Sequence, residues 1–303
     1  MVRWPVVPWS DRRDDILRIV IPNLSPSERL FFCFGPPKSG TTLLQRALDL
    51  HPEVSCPAEH NFALLHKGMT ALFGDYNKNL QTVDRRTGGQ GARLVEADAI
   101  NAVFRDAVET IVRQAACGKP FIGANDNGIM YRLAFYDELF ERPGLIAIFR
   151  NPIDQGLSAW HHNLRLAREE NDPRHEQLVT RFGGLEGFLR TIVEQFGRDV
   201  AGWRAFSEGR EHVYMVRYED LVGERKATLR GIFTFLGADA ADTILDPIIT
   251  ATDIDRMRAV STNPEFFRRG GSDMGAEEVT PALRRELGTL APEALSWLGY
   301  GYG

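Results

Sequence analysis

Residues 35–42 bring a lysine and three hydroxyl side chains together with glycine, in the order Gly-Pro-Pro-Lys-Ser-Gly-Thr-Thr. They follow a short apolar run at residues 29–34, and apolar side chains then recur at helical spacing over residues 39–50. This order predicts a buried strand, a loop and a helix. The free N–H groups and the positive dipole end of such a helix favour phosphate, and Lys38 adds a charge. The stretch therefore predicts a phosphate-binding loop, with an ordinary capped turn as the alternative.

The order of the lysine and the glycine bears on which nucleotide chemistry is possible. Proteins that use ATP or GTP through a P-loop carry the pattern G-x-x-x-x-G-K-[ST], in which lysine follows glycine. Here Lys38 comes two residues before Gly40. The pattern counts against an ordinary ATP- or GTP-using enzyme, although a nucleotide-dependent kinase stays an alternative.

Further polar residues follow other predicted strands. Residues 144–149 form an apolar run that ends at Arg150, and residues 212–218 form another that ends at Tyr218. The carboxyl ends of parallel strands are where α/β sheets bind ligands. The planar fork of Arg150 suits a phosphate, whereas a structural ion pair is its alternative role. A core aromatic is the alternative for Tyr218.

Four segments resemble, in the same order, the motifs of sulfotransferases that use 3′-phosphoadenosine 5′-phosphosulfate (PAPS). Residues 37–42 resemble that family's 5′-phosphosulfate loop, and Arg150 with Ser158 resembles its 3′-phosphate motif. Residues 218–221, Tyr-Glu-Asp-Leu, resemble a segment whose tyrosine lies near the adenine, and residues 267–271 resemble a basic glycine loop that closes on the 3′-phosphate. The resemblance implies that the donor is bound by Pro37, Lys38, Ser39, Gly40, Thr41, Thr42, Arg150, Ser158, Tyr218, Arg268, Arg269 and Gly270.

The resemblance also implies which residues carry the chemistry. Lys38 serves the leaving group, and Glu59 matches the position of the catalytic base in several branches of the family. An exposed loop carboxylate is the alternative for Glu59, and the adjacent His60 is the second candidate base. Neighbouring side chains on extended chain point to opposite faces, so one of the two is expected to face the site. The Lys-Thr-His run of phenol and steroid sulfotransferases is missing from residues 121–127, where Asp126 is a third candidate.

The function implied is transfer of a sulfuryl group from PAPS to a hydroxyl of a small molecule or a peptide, leaving 3′,5′-adenosine bisphosphate (PAP). A relative that binds the nucleotide without catalysis is a further alternative. The implied fold is a three-layer α/β domain like that of P-loop NTPases, with a mainly parallel sheet and helices on both faces. One domain is expected over residues 1–303, with residues 1–28 as an N-terminal extension and residues 256–303 as a segment that closes on the cofactor. No metal is expected, because the cationic side chains supply the positive charge.

Composition and charge narrow the classes further. The 303 residues are 43% hydrophobic and 25% charged, as in globular proteins, and the net charge of −5 disfavours general nucleic-acid binding. Three widely spaced cysteines favour a reducing compartment over a disulfide framework. No secretory signal and no apolar run of about 18 residues is present, so a cytoplasmic protein without a membrane span is expected. The family's short dimer motif is missing after Gly275, and the oligomeric state is left open.

Hydrophobic periodicity also predicts the elements around these motifs. Residues 74–91 are polar and contain several glycines, which predicts a mobile loop or an insertion. The chain from residue 256 onward is predicted to be rich in loops. Helices are predicted at residues 97–116, 187–206, 227–236 and 281–290, with one after residue 151 that continues through Trp160, and a further strand at residues 119–125.

Overall fold

The computed structural model describes residues 29–169, 173–260 and 278–301, and within them five strands form one parallel sheet. The strand order across the sheet is β2-β3-β1-β4-β5, and every neighbouring pair is parallel. The strands are β1 (Arg29–Phe34), β2 (Val54–Ser55), β3 (Phe121–Asn125), β4 (Gly144–Phe149) and β5 (Val213–Arg217).

Helices cover both faces of the sheet. They are α1 (Thr41–Asp49), α2 (Phe62–Arg86), α3 (Ala97–Ala116), α4 (Leu133–Leu139), α5 (Pro152–Glu169), α6 (Arg174–Phe182), α7 (Leu185–Ser207), α8 (Tyr218–Gly223), α9 (Arg225–Leu236), α10 (Asp242–Ala251), α11 (Ile254–Val260), α12 (Pro281–Gly288) and α13 (Pro292–Trp297), with a 3-10 helix at Asn127–Tyr131. The predicted α/β fold with a parallel sheet between two helical layers is thus confirmed.

The central strand shows why the sheet is covered on both sides. Phe32 and Phe34 of β1 pack into one core, together with α3, α5 and α7. Phe31 and Cys33 point the other way into a second core, formed with α1 and α9. Because successive side chains on a strand alternate between faces, an uninterrupted apolar run such as β1 requires an apolar layer on each side.

Most predicted elements agree with the structure to within a few residues, but residues 74–91 do not. The loop predicted there is wrong, because α2 continues through this stretch to Arg86. Phe62 is the buried residue of α2, while Leu65 and Met69 are partly buried against the core. A helix that packs along one narrow side exposes most of its length to solvent, so its sequence is as polar as that of a loop.

The C-terminal part is more helical than predicted. Helices α11, α12 and α13 occupy much of the described chain beyond residue 253, and residues 261–277 lie outside the described residues. The helix predicted at residues 281–290 is confirmed as α12, which begins after a Thr280 side chain that accepts a hydrogen bond from the N–H of Leu283. Helix α5 also extends beyond Trp160, to Glu169.

Candidate active site

The connection between β1 and α1 adopts a strained conformation that glycine makes possible at one position. Gly40 precedes α1 with a φ of 100°, and a methyl group on it would overlap the ring of Tyr218. Lys38 also lies in the left-handed region, with a φ of 69°. A non-glycine residue there is uncommon and is found mostly where the surrounding structure enforces it.

The start of α1 offers donors suited to an anion. No side chain caps the first turn of α1, so its leading N–H groups lack the partner that a capping residue supplies. The Ser39 hydroxyl is fully buried and has no hydrogen-bond partner within the described residues. Thr41 is buried and Thr42 half-buried in the same turn. A phosphate group would satisfy such donors, so the residues present fit a phosphorylated nucleotide.

Arg150 and Tyr218 lie beside this loop, at the ends of β4 and β5. The Arg150 guanidinium is buried, stacks 4.4 Å from the centre of the Tyr218 ring, and donates a hydrogen bond to the backbone oxygen of Lys38 at 3.4 Å. Three predicted site residues from three separate strand ends are therefore in mutual contact. Burial, with a contribution from Glu219, raises the pKa of Tyr218, while Arg150 opposes that shift.

The structure describes two of the remaining predicted nucleotide-binding residues, and three others lie outside the described ranges. Ser158 is half-buried on α5, two turns along the chain from Arg150, and Pro37 is exposed at the tip of the loop. Arg268, Arg269 and Gly270 lie outside the described residues.

Lys38 and Glu59 face the same space from two different loops. Burial and the nearby Arg165 guanidinium lower the pKa of Lys38 to about 8, and the Glu59 carboxylate opposes this shift. Arg165 comes from α5, where its guanidinium pairs with Glu169 at 2.7 Å. The charges of Arg165 and Glu59 therefore both act on the Lys38 ammonium, in opposite senses.

Glu59 and His60 point in different directions, as their adjacency on extended chain predicts. Glu59 pairs with Asn125 as an isolated parallel bridge that lengthens the β2–β3 pairing, and its Oε1 accepts a hydrogen bond from Asn127 Nδ2 at 3.0 Å. The His60 ring instead stacks on Phe62, with centroids 4.7 Å apart. Burial lowers the pKa of His60, which Asp126 partly offsets.

Asp126, the third candidate base, is buried and holds backbone groups. Its two carboxylate oxygens accept hydrogen bonds from the N–H of Phe62 at 2.6 Å and of Gly128 at 2.8 Å. Burial raises its pKa, and these two bonds oppose the rise. The carboxylate thereby joins the end of β3 to the start of α2.

Two residues near the site were missed by sequence reasoning. Asn127 lies two residues beyond the end of β3, and Arg165 lies seven residues beyond Ser158 on α5. The position of Asn127 after a strand was an available signal, because side chains at strand ends gather at one edge. For Arg165 the signal was the seven-residue spacing, which places it on the same helix face as Ser158.

The described residues contain no group of three or more His, Cys, Asp or Glu side chains that could hold a metal ion. Likewise, none of the helices within the described ranges is both long and apolar enough to cross a membrane.

Comparison with known proteins assigns this chain to a protein family. The profile of the sulfotransferase family matches residues 31–242, and the chain belongs to that family. The matched region contains the phosphate-binding loop, Glu59, Arg150 and Tyr218. The resemblance inferred from the motifs is confirmed.

The individual relatives share low sequence identity with this chain. Protein-tyrosine sulfotransferase 2 of Gallus gallus is 24% identical over 226 residues, which cover 71% of this chain and 53% of that protein. Cytosolic sulfotransferase 15 of Arabidopsis thaliana is 29% identical over 183 residues, which cover 54% of this chain and 50% of that protein. The chain spans about half the length of these two curated relatives. The crystal structure of mouse sulfotransferase SULT7A1 complexed with PAP has the same fold, with a TM-score of 0.58 and 17% identity over 90% of this chain and 86% of that one.

Proposed function

We propose that the protein transfers a sulfuryl group from PAPS to the hydroxyl of an acceptor, releasing PAP. The observation that carries the proposal is the link between the loops of Lys38 and Glu59: Asn127 accepts a hydrogen bond from Gly35, at the start of the loop that carries Lys38, and donates one to Glu59. Transfer between two oxygens needs a cation at the leaving oxygen and a base at the incoming one. The two side chains supply one of each.

PAPS supplies the activated sulfuryl group, with the 5′-phosphate oxygen as the leaving group. The donors of residues 37–42 would hold its 5′ end, while Arg150 and Ser158 would bind the 3′-phosphate and Tyr218 would lie by the adenine. PAP in the mouse sulfotransferase of the same fold supports this choice of nucleotide. The buried, unpartnered hydroxyl of Ser39 supports a ligand at the loop.

The roles of the two reacting side chains follow from their charge. The Glu59 carboxylate accepts the proton of the acceptor hydroxyl as the new oxygen–sulfur bond forms. The Lys38 ammonium stabilises the negative charge that develops on the oxygen from which sulfur departs. Sulfuryl transfer resembles phosphoryl transfer, in which such positioning and charge stabilisation supply most of the catalysis.

The acceptor is proposed to be a hydroxyl of a small molecule or of a peptide side chain. The name of one curated relative, a protein-tyrosine sulfotransferase, supports a peptide side chain as one of the two kinds. Mass spectrometry after incubation with PAPS, using p-nitrophenol, a tyrosine peptide and a metabolite extract as acceptors, would identify products heavier by one sulfo group.

The base is tested with Glu59→Gln, which keeps the shape of the side chain and removes its basicity. We expect kcat to fall by roughly 10²–10⁴, which is the usual contribution of a positioned base. PAP affinity, measured by calorimetry, should change little. His60→Ala is the matched control, because the neighbouring ring stacks on Phe62, and it should have a smaller effect. Normal turnover of Glu59→Gln with an inactive His60→Ala would reverse the two roles.

A further inference from the structure

The side chain of Asn127 connects the two loops that carry the proposed chemistry. Its Nδ2 donates a hydrogen bond to Glu59 Oε1 at 3.0 Å, and its Oδ1 accepts one from the N–H of Gly35 at 3.3 Å. Gly35 opens the phosphate-binding loop. One amide group therefore spans the distance between the donor-binding loop and the carboxylate proposed to act on the acceptor.

The two bonds determine which way the amide is turned. A backbone N–H can only donate, so it requires the oxygen of Asn127. A carboxylate accepts, so it requires the Nδ2 group. The reversed orientation would place oxygen against the Glu59 carboxylate and nitrogen against the Gly35 N–H, and both contacts would be repulsive.

The backbone of Asn127 is fixed as firmly as its side chain. Asn127 begins the 3-10 helix that follows β3, and the preceding Asp126 caps that helix by accepting from the N–H of Gly128. The Asp126 N–H in turn donates to the backbone oxygen of Cys33 on β1 at 3.0 Å. The donor presented to Glu59 is thus mounted on the central strands of the sheet.

An exposed glutamate has several rotamers, and a base must lie within hydrogen-bond reach of the proton that it takes. Glu59 is exposed, so its own packing does not restrict it. A hydrogen bond from an anchored donor selects one position for the carboxylate.

We propose that Asn127 is a positioning residue, which holds the Glu59 carboxylate at a fixed place relative to the phosphate-binding loop. The inference rests on the proposed function, in which Glu59 is the base. Asn127 itself acts through Glu59 and through the Gly35 N–H.

The test follows the Glu59 carboxylate by NMR in protein labelled with ¹³C at the glutamate carboxyl carbon, and it needs no acceptor. The Glu59 signal is the one that disappears in Glu59→Gln. In Asn127→Asp a second carboxylate replaces the donor while an acceptor for Gly35 remains, so the Glu59 carboxylate loses its hydrogen bond and its ¹³C signal at neutral pH should shift. Asn127→Ala should also shift this signal, because the donor is lost.

Asn77→Asp is the matched control. The Asn77 amide also donates through Nδ2 and accepts through Oδ1, both with the backbone of Val95 at 2.9 Å. It lies about 22 Å along α2 from Phe62, at 1.5 Å per residue. Its replacement should leave the ¹³C signal of Glu59 unchanged.

Turnover of PAPS with p-nitrophenol or the tyrosine peptide supplies the second readout. Asn127→Ala should lower kcat about tenfold, as expected for the loss of one bond to a charged group, with KM for PAPS within about threefold. An unchanged Glu59 signal and an unchanged kcat in both Asn127 variants would overturn the positioning role while Glu59→Gln still identifies the base. Full activity of Glu59→Gln would instead refute the base assignment, and that result comes from a different protein variant.

Discussion

At the scale of single residues, Lys38 has the most strongly perturbed charge of the site. Its pKa of about 8 arises first from burial and then from Arg165, with Glu59 acting in the opposite sense. The ammonium is therefore mostly protonated at pH 7 and loses half of its charge near pH 8 in the ligand-free protein. A bound polyanion stabilises the protonated form, so binding and protonation of Lys38 are coupled.

This coupling predicts that PAP affinity falls as pH rises through about 8, because above that pH the protein must take up a proton in order to bind. Calorimetry between pH 7 and pH 9.5, in buffers with different ionisation enthalpies, would measure both the affinity and the proton uptake. Lys38→Met serves as the control and should bind more weakly with no such dependence. Constant affinity over this range would contradict the low pKa.

Sequence reasoning found the site residues that belong to recognisable sequence motifs. It missed Asn127, which only the folded structure brings to the site. Lys38, Arg150 and Tyr218 lie far apart in the chain but in contact in space, as their positions at strand ends predict. Asn127 has no motif of its own. Its importance comes from reaching Gly35 and Glu59 together, and only the paired strands bring those two within range.

At the scale of elements, the turn between β1 and α1 depends on close packing against the start of α8. Gly40 combines a positive φ with direct contact with the Tyr218 ring. Each feature alone disfavours a side chain, and the two together make glycine a requirement of the loop's shape.

Gly40→Ala is therefore expected to lower PAP affinity by at least about tenfold, because the ring of Tyr218 must move away from the nucleotide site. Gly118→Ala is the matched control, since Gly118 has a φ of 82° but open space around it. Both changes should lower the free energy of unfolding by about 1–2 kcal/mol through the left-handed backbone. Equal PAP affinity of the two variants, measured by calorimetry, would show that the contact with Tyr218 is unimportant.

Elements with a strong apolar pattern were predicted well, and elements held by few contacts were not. Helix α3 matches its predicted bounds, because Phe104, Val108 and Val112 recur on one buried face. Helix α2 was not predicted at all, and residues 74–91 were predicted as a loop, because the outer half of this helix has too little buried surface to produce a hydrophobic period in the sequence.

At the scale of the whole molecule, Glu219 connects Tyr300, near the C-terminus, to the edge of the sheet at which β4 and β5 end. Glu219 accepts a hydrogen bond from the N–H of Asn151 at 2.9 Å and another from the hydroxyl of Tyr300 at 2.6 Å. Asn151 follows Arg150, and Glu219 follows Tyr218. Burial, and then Glu219, raises the pKa of Tyr300, so this hydroxyl keeps its proton for the bond.

Tyr300→Phe should lower the free energy of unfolding by about 1–3 kcal/mol, because it leaves a carboxylate oxygen without its donor. Urea denaturation would measure the loss. Tyr131→Phe is the control, because Tyr131 is 62% exposed and its hydroxyl should contribute less than about 0.5 kcal/mol. An equal effect of the two changes would mean that the Glu219 bond does not anchor the C-terminal end.

At position 38, the left-handed backbone favours glycine, whereas the proposed chemistry requires the side chain of lysine. Glycine there would relieve the strain, which is of order 1–2 kcal/mol for a residue with a side chain. It would also delete the ammonium on which the proposed transfer depends. Under the proposed function, selection for a more stable protein and selection for a faster one therefore favour different residues at position 38.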